Sequence, residues 1–250
     1  MQAYLTLVRR ELSAFFVSLT GYVVIASVLL LLGLSFTDLI ERLSASPNRA
    51  PLTEIFYSTY YFWYILLLTA PVITMRSFAF ERLSGTYETL MTAPVSDLQV
   101  VLAKFSGALL FYALTWLPLT GCVLVLRYYT NEPTVFDWRS LASTYLGLLL
   151  IGALYMSMGC FASALTRSQI LAAMNSFVLG LTLFLLSLPS LVPAPPADWA
   201  ARVRDYICLS EHLQDFVRGM VDTRHLVFYV TLTGFFLFLT LKAVESRRWK

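Results

Sequence analysis

The sequence is poor in charged residues. Only 13% of its 250 residues are Asp, Glu, Lys or Arg, against about 25% in an average soluble domain. Hydrophobic residues make up 58%, and the mean hydropathy is +0.70. A water-soluble fold with so little charge would leave too much apolar surface in solvent. The formal net charge of +3 is small and scattered, so we expect no nucleic-acid partner, which would require clustered Lys and Arg.

Metal-ligating and redox-active residues are also scarce. The chain has three cysteines without Cys-x-x-Cys spacing and only two histidines, so neither a disulfide framework nor a metal site is expected. Glu211, His212 and Asp215 lie close together in the sequence, but their spacing matches no common metal site. We interpret them as the solvated face of an amphipathic helix.

Motifs that carry chemistry are missing as well. The sequence contains no Gly-x-x-x-x-Gly-Lys-Ser/Thr phosphate loop, no Gly-x-Ser-x-Gly elbow and no His-Glu-x-x-His pair. The uncharged runs contain no charged pair of the kind that marks a proton relay. We therefore expect neither an enzyme nor a chain that hydrolyses ATP by itself.

What the sequence does contain is six long uncharged runs. A charge at the bilayer centre costs at least about 2.5 kcal/mol, so charges mark the ends of membrane spans. Backbone groups in lipid must be bonded internally, which predicts helices. We expect an all-α polytopic membrane protein, one domain over residues 1–250, with spans between these residues: Glu11 and Asp38, Glu54 and Arg76, Lys104 and Arg127, Arg139 and Arg167, Arg167 and Asp198, Arg224 and Lys242.

An even number of spans places both termini on one side. Ten of the 18 Lys and Arg residues, including all three lysines, then fall on that side. The excess is small, but it follows the positive-inside rule. We predict cytoplasmic termini.

The connection over residues 76–104, between spans two and three, predicts a folded hairpin. Five residues recur at helical spacing and indicate a short amphipathic helix at the membrane surface, ended by Pro94: Ala79, Leu83, Tyr87, Leu90 and Met91. Ser96 and Gln99 have the spacing of a capping box that begins the next helix. The last connection, residues 189–225, has four prolines followed by an amphipathic stretch and is expected to fold back on the outer face.

Polar and small residues inside the spans allow two interpretations. Ser157 and Asn175 either line a transport pathway or hydrogen-bond to neighbouring helices. Span four contains small residues that permit close helix approach, at subunit contacts or within one subunit: Gly152, Ser157, Gly159 and Ser163. The sequence leaves both questions open.

Two segments carry a resemblance to a known family. The stretch Phe80-Glu81-Arg82-Leu83-Ser84-Gly85-Thr86-Tyr87-Glu88-Thr89-Leu90, continuing through Pro94 to Lys104, resembles the cytoplasmic signature of ABC-2 type transporter permeases. The N-terminal Arg9-Arg10-Glu11-Leu12, with Phe15-Phe16 and Gly21-Tyr22, resembles the gliding-motility-associated branch of that family.

The resemblance implies a permease subunit that works with a separate ATP-binding cassette ATPase, which would hold ATP and Mg²⁺ while this chain holds no cofactor. It implies an exporter in the bacterial inner membrane, paired with a second or paralogous permease and with an auxiliary membrane subunit. The hairpin would contact the ATPase through Glu81, Gly85, Thr86, Glu88 and Pro94. Residues 1–18, with Arg9, Arg10 and Glu11, would form an interfacial helix on the bilayer.

The alternative hypothesis is a membrane scaffold or assembly subunit that binds a partner without moving a substrate. A neighbouring gene for an ATPase with a phosphate loop would favour transport. In the simplest interpretation, the hairpin is an ordinary charged loop whose Glu81 and Arg82 contact only lipid headgroups.

Overall fold

A computed structural model describes residues 2–45, 60–86, 95–130, 138–188 and 206–248. Regular structure in these residues is entirely helical, as the sequence predicts. The helices are α1 (Gln2–Val17), α2 (Leu19–Ala45), α3 (Tyr60–Thr74), α4 (Ala79–Ser84), α5 (Asp97–Thr115), α6 (Leu117–Thr130), α7 (Trp138–Leu165), α8 (Gln169–Leu186), α9 (Leu209–Val217) and α10 (Thr223–Arg248).

Six segments of the described chain are long and apolar enough to cross a membrane, which confirms the predicted number. They are Leu19–Arg42, Tyr61–Ser84, Asp97–Val125, Trp138–Leu165, Gln169–Leu186 and Thr223–Ser246. The third span is divided at Trp116, between α5 and α6. Pro118 explains the break, because it has no N–H to donate and its ring clashes with the carbonyl four residues earlier.

Helix α7 is the centre of the bundle. It packs against α3, α5, α8, α9 and α10, and 72% of its apolar span is buried. A Cβ atom on Gly152 would lie 2.1 Å from a ring carbon of Tyr112 in α5, and one on Gly159 would lie 2.0 Å from the Thr74 hydroxyl oxygen in α3. The small residues of span four therefore serve close packing within one chain.

At its N-terminal end, α7 holds the short helix α9. The Ser140 and Ser143 hydroxyls donate to the backbone carbonyls of Val217 and Phe216. Gly147 lies under the Phe216 ring, where a Cβ would be 2.9 Å from the ring. Helix α9, in the last connection, thus packs on α7, and the folding of this connection on the outer face stays a prediction. Residues 189–205 lie outside the described chain.

The histidine of this segment is buried, so its interpretation as part of a solvated face is wrong. His212 is only 2% exposed, because the apolar face of α9 turns it toward α10. Its ring stacks on His225 with centroids 3.9 Å apart, and its Nδ1 lies 3.4 Å from the Tyr229 hydroxyl. Burial, together with the neighbouring His225 ring, lowers the pKa of His212 to about 4. Glu211 is exposed, as predicted.

Candidate functional site

Four charged side chains meet near the C-terminal end of α7 and form what we term the charge cluster: Arg10 and Glu11 of α1, Glu81 of α4 and Lys104 of α5. The Lys104 Nζ lies 2.8 Å from the Glu81 Oε1 and 3.2 Å from the Glu11 Oε1. The Arg10 Nη2 lies 3.0 Å from the Glu81 Oε1 and 2.8 Å from the Glu11 Oε1. Each cation therefore bridges both carboxylates, and the cluster is electrically balanced.

Burial makes these contacts energetically important. The Lys104 side chain is 2% exposed and the Glu81 side chain 13%, and the ammonium group also lies 5.4 Å from the centre of the Phe78 ring. Burial alone would raise the pKa of Glu11, but the Lys104 ammonium and Arg10 guanidinium outweigh it and hold that pKa below its ordinary 4.5. For Arg10, burial acts to lower the pKa, but Glu11 and Glu81 raise it on balance. Arg10 and Glu11 are thus charged at neutral pH.

One face of α1 is fastened to α5 on both sides of the cluster. The Tyr4 and Ser106 hydroxyl oxygens are 2.7 Å apart, and the Phe15 ring stacks on Phe111 with centroids 4.5 Å apart. Gly107 lets the two backbones approach, because a Cβ there would lie 2.8 Å from the Glu11 Cβ. Other apolar residues of α1 remain exposed, including Leu5 at 64%. An exposed apolar face of this kind is typical of a helix that lies at a membrane surface.

Helix α4 and the turn before it are fastened to the C-terminal end of α7. The Ser163 hydroxyl accepts from the backbone N–H groups of Phe78 and Ala79, at 3.0 and 3.1 Å, and donates to the Met75 carbonyl at 3.2 Å. The Arg82 guanidinium donates to the Ala164 carbonyl. Both charges of this segment, Glu81 and Arg82, therefore contact protein groups, which the interpretation as a loop meeting only lipid headgroups did not anticipate.

The hairpin turns at Gly85. Helix α4 ends at Ser84, and Gly85 caps it in the left-handed region with φ of 75°, a conformation that glycine adopts without a steric penalty. The prediction that one helix continues through Gly85 toward Pro94 is therefore wrong, because a left-handed residue interrupts the helical hydrogen bonds. At the other end of the hairpin, Ser96 and Gln99 form the predicted capping box at the start of α5.

The predicted coupling residues fall in different environments. Gly85 and Thr86 are exposed at the tip of the described hairpin, whereas the Glu81 carboxylate points inward to the charge cluster. Glu88 and Pro94 lie outside the described residues. In the N-terminal helix, Arg9 is exposed, while Arg10 and Glu11 belong to the cluster.

The two predicted pathway residues also differ from each other. Ser157 is completely buried and donates its hydroxyl hydrogen bond to the Leu154 carbonyl of its own helix. Asn175 is exposed on α8. Ser157 thus has the surroundings of a packing residue, and only Asn175 lies on a surface that another molecule can reach.

Sequence reasoning missed the partner of Glu81. We used Lys104 only as the boundary of a span, yet it is a single charge between apolar Ala103 and Phe105. An ionisable residue in such a run calls for a buried partner of opposite charge, and that signal was available. Nothing in the sequence indicates that Ser163 would bind three backbone groups 84 to 88 residues away, because the contact depends on the packing of α3 against α7.

The six spans, with a hairpin between the second and third that is fastened to the bundle by buried charges, define a polytopic helical membrane protein. The family profile described as ABC-2 family transporter protein matches residues 10–218, a range that includes the whole charge cluster. The chain therefore belongs to the ABC-2 transporter family and is a membrane permease component of an ABC transporter. A search of curated proteins found no match. The gliding-motility branch stays a prediction.

Proposed function

We propose that this chain is the permease subunit of an ATP-driven exporter in the bacterial inner membrane, with both termini in the cytoplasm. A separate ABC ATPase would bind ATP and Mg²⁺ and contact the hairpin over residues 76–104. The permease would pair with a second copy of itself or with a paralogous permease, and an auxiliary membrane subunit would join that assembly. Family membership supports the ATPase partner, because ABC-2 permeases work with such subunits.

The charge cluster is the observation that carries the coupling proposal. The hairpin has an outward side, with Leu83 67% exposed and Gly85 and Thr86 exposed beside it, that is free to meet another protein. Its inward side presents Glu81 to charges on two other helices. We therefore assign contact with the ATPase to the outward side and transmission of its movement to Glu81, rather than direct ATPase binding by Glu81.

Movement of α4 would reach three parts of the bundle. Through the Glu81 carboxylate it would act on Arg10 in the N-terminal helix and on Lys104 in span three. Through Ser163 it would act on the central helix α7. Because buried charges are costly to separate, these helices would move together with the hairpin. Asn175 remains the candidate for lining the pathway in an assembled dimer, whereas the burial of Ser157 supports packing.

The test separates contact from transmission by two variants, assayed with the proposed ABC ATPase partner. Leu83→Arg alters the outward side and should reduce recovery of the ATPase in a detergent pull-down. The double variant Glu81→Gln/Lys104→Met removes one charge of each sign and leaves Arg10 paired with Glu11. It should bind the ATPase at the wild-type level but support less permease-stimulated ATP hydrolysis in proteoliposomes.

The control is Ile170→Arg, which places the same cation at another exposed apolar position at the start of α8, where Ile170 is 72% exposed. It should leave both readouts unchanged. Normal stimulation by the double variant would show that the charge cluster does not transmit movement. Failure of the wild-type permease to recover the ATPase would favour the scaffold alternative.

Orientation is tested by cysteine labelling. Arg167 and Arg218 are both exposed and lie on opposite sides of the bilayer in the proposed topology. In a background without the native cysteines, an impermeant maleimide should label Arg218→Cys in intact spheroplasts and Arg167→Cys only after lysis. The reverse pattern would overturn the cytoplasmic assignment of the termini.

A further inference from the structure

A cleft of about 650 Å³ opens beside the charge cluster, between α1, α4 and the start of α5. One part of its wall is apolar and includes Leu7, Phe15 and Phe80, and another part is cationic. The cleft is therefore shaped for a molecule that is both charged and apolar. Of the outward residues assigned to the ATPase contact, Leu83 and Gly85 do not line it and Thr86 does.

The charges that line the cleft do not balance. Arg10 and Lys104 are neutralised by the two carboxylates of the charge cluster, which leaves Arg76. The Arg76 guanidinium donates to the Thr20 hydroxyl at 2.8 Å and lies 4.9 Å from the centre of the Phe80 ring. In the part of the chain that the structure describes, no carboxylate lies within ion-pair distance of Arg76. The residues that line the cleft therefore carry a net charge of +1.

The cleft lies at the level where the spans begin. Ser18 lines it at the bend between α1 and α2, and the first span starts at the next residue, Leu19. Val17 and Leu19 are 86% and 80% exposed on either side of that bend. Large apolar side chains so exposed in a spanning protein face hydrocarbon. An amphiphile in the bilayer can thus reach Arg76 with its headgroup.

We propose that this cleft binds an anionic glycerophospholipid, with the phosphate on Arg76 and an acyl chain along the apolar wall near Phe15 and Phe80. Charge complementarity selects this occupant, since a zwitterionic lipid would bring no net charge to the excess cation. A soluble phosphate would leave the apolar wall uncovered. The bound lipid would connect the hairpin to the N-terminal helix, and the site needs no ATPase.

The experiment uses the purified permease alone in detergent. Native mass spectrometry measures the affinity for phosphatidylglycerol and for phosphatidylcholine with identical acyl chains. One basic residue at a membrane surface is worth about 1 kcal/mol toward an anionic lipid, or about fivefold in affinity. The wild-type protein should show that preference, Arg76→Gln should lose it and Arg76→Lys should keep it. The control Arg167→Gln removes an exposed cation outside the cleft and should leave the preference unchanged.

A second measurement does not depend on a charge variant. A photoreactive benzoylphenylalanine at position 80, where Phe80 is 40% exposed in the cleft wall, should crosslink to phosphatidylglycerol more than to phosphatidylcholine. Glycerophosphoglycerol, the headgroup without acyl chains, should not compete. Equal crosslinking to both lipids, an unchanged preference in Arg76→Gln, or effective competition by the headgroup alone would each overturn the lipid site. Because no ATPase is present, these results do not depend on the coupling proposal.

Discussion

The two ends of α7 hold their neighbours in different ways. At each end, serine hydroxyls of α7 bind backbone groups of a short helix or the turn beside it: Ser163 near α4, and Ser140 with Ser143 near α9. Beyond the serines the ends diverge. The α4 end relies on the four-membered charge cluster, whereas the α9 end relies on Phe216 packing and a buried imidazole stack around His212.

The difference predicts which change destabilises each end of α7. Buried charges depend on one another, so removing a single partner leaves an uncompensated charge in a medium that solvates it poorly. A buried neutral histidine instead depends on staying neutral, and acid opposes that. The α4 end should therefore be sensitive to substitution and insensitive to mild acid, and the α9 end should be sensitive to acid.

The largest expected effect is that of Lys104→Met. It leaves two buried carboxylates with one guanidinium, and loss of one partner of a buried ion pair costs about 3 to 5 kcal/mol. The variant should unfold at a clearly lower temperature in detergent. Adding Glu81→Gln restores charge balance, so the double variant should be more stable than Lys104→Met alone. If the effects of the two substitutions simply add, the side chains are not coupled.

The second-largest expected effect is a loss of stability of the α9 end in acid. The pKa of His212 is lowered from 6.5 to about 4 in the folded protein, so between these pH values the unfolded segment binds a proton that the folded one excludes. Stability is therefore complete above pH 6.5 and is lost as the pH falls toward 4. At about 1.4 kcal/mol per pKa unit, the loss amounts to at most about 3.5 kcal/mol.

Hydrogen exchange of the α9 amides, corrected for intrinsic rates, measures this loss. Several other groups surround the His212 ring. His225 stacks on it, the Asp222 charge and the Tyr229 hydroxyl lie near it, and Asp215 lies beside His225. The control therefore replaces His212 alone. His212→Phe should abolish the pH dependence between 6.5 and 4. Amides of α4 should stay protected between pH 6.5 and 4.5, because the pKa of Glu11 is held below its ordinary 4.5. Equal loosening of both helices would contradict the comparison.

A smaller effect is expected at the hairpin tip. Gly85 has φ of 75°, and a Cβ there would meet no atom within 4 Å, so only the backbone opposes a larger residue. A β-branched side chain in the left-handed region costs about 1 to 2 kcal/mol. Gly85→Val should lower the free energy of unfolding by about that amount. Gly85→Asn should lower it much less, since Asn tolerates this conformation. Equal losses would point to a cause other than backbone strain.

The smallest effect is expected from Lys242→Met, the same substitution made where the cation is exposed. The Lys242 Nζ lies 2.7 Å from the Glu245 Oε2, but the Lys242 side chain is 56% exposed. Exposed pairs of this spacing contribute about 0.5 kcal/mol or less. Its unfolding temperature should stay close to that of the wild type. A loss comparable to that of Lys104→Met would show that burial does not explain the importance of the charge cluster.

The sequence was sufficient for the six spans and the Ser96 capping box, because hydropathy and cap chemistry are local properties. It was insufficient for Glu81 and His212. An acidic residue in a predicted surface helix indicates an exposed carboxylate, and only the packing of α1 against α5 brings Arg10 and Lys104 to it. Likewise, only the docking of α9 on α10 buries the His212 ring.

Helix α7 has a mechanical property that follows from its continuity. Ser140 and Ser163 lie on one uninterrupted helix, and at 1.5 Å per residue they are about 35 Å apart along its axis. Each degree of tilt about one end displaces the other by about 0.6 Å, so a tilt of about five degrees moves it by about 3 Å. That distance is the length of the Ser163 hydrogen bonds. A rod pivoting on its α9 end can thus release the hairpin turn with every backbone hydrogen bond of its own intact.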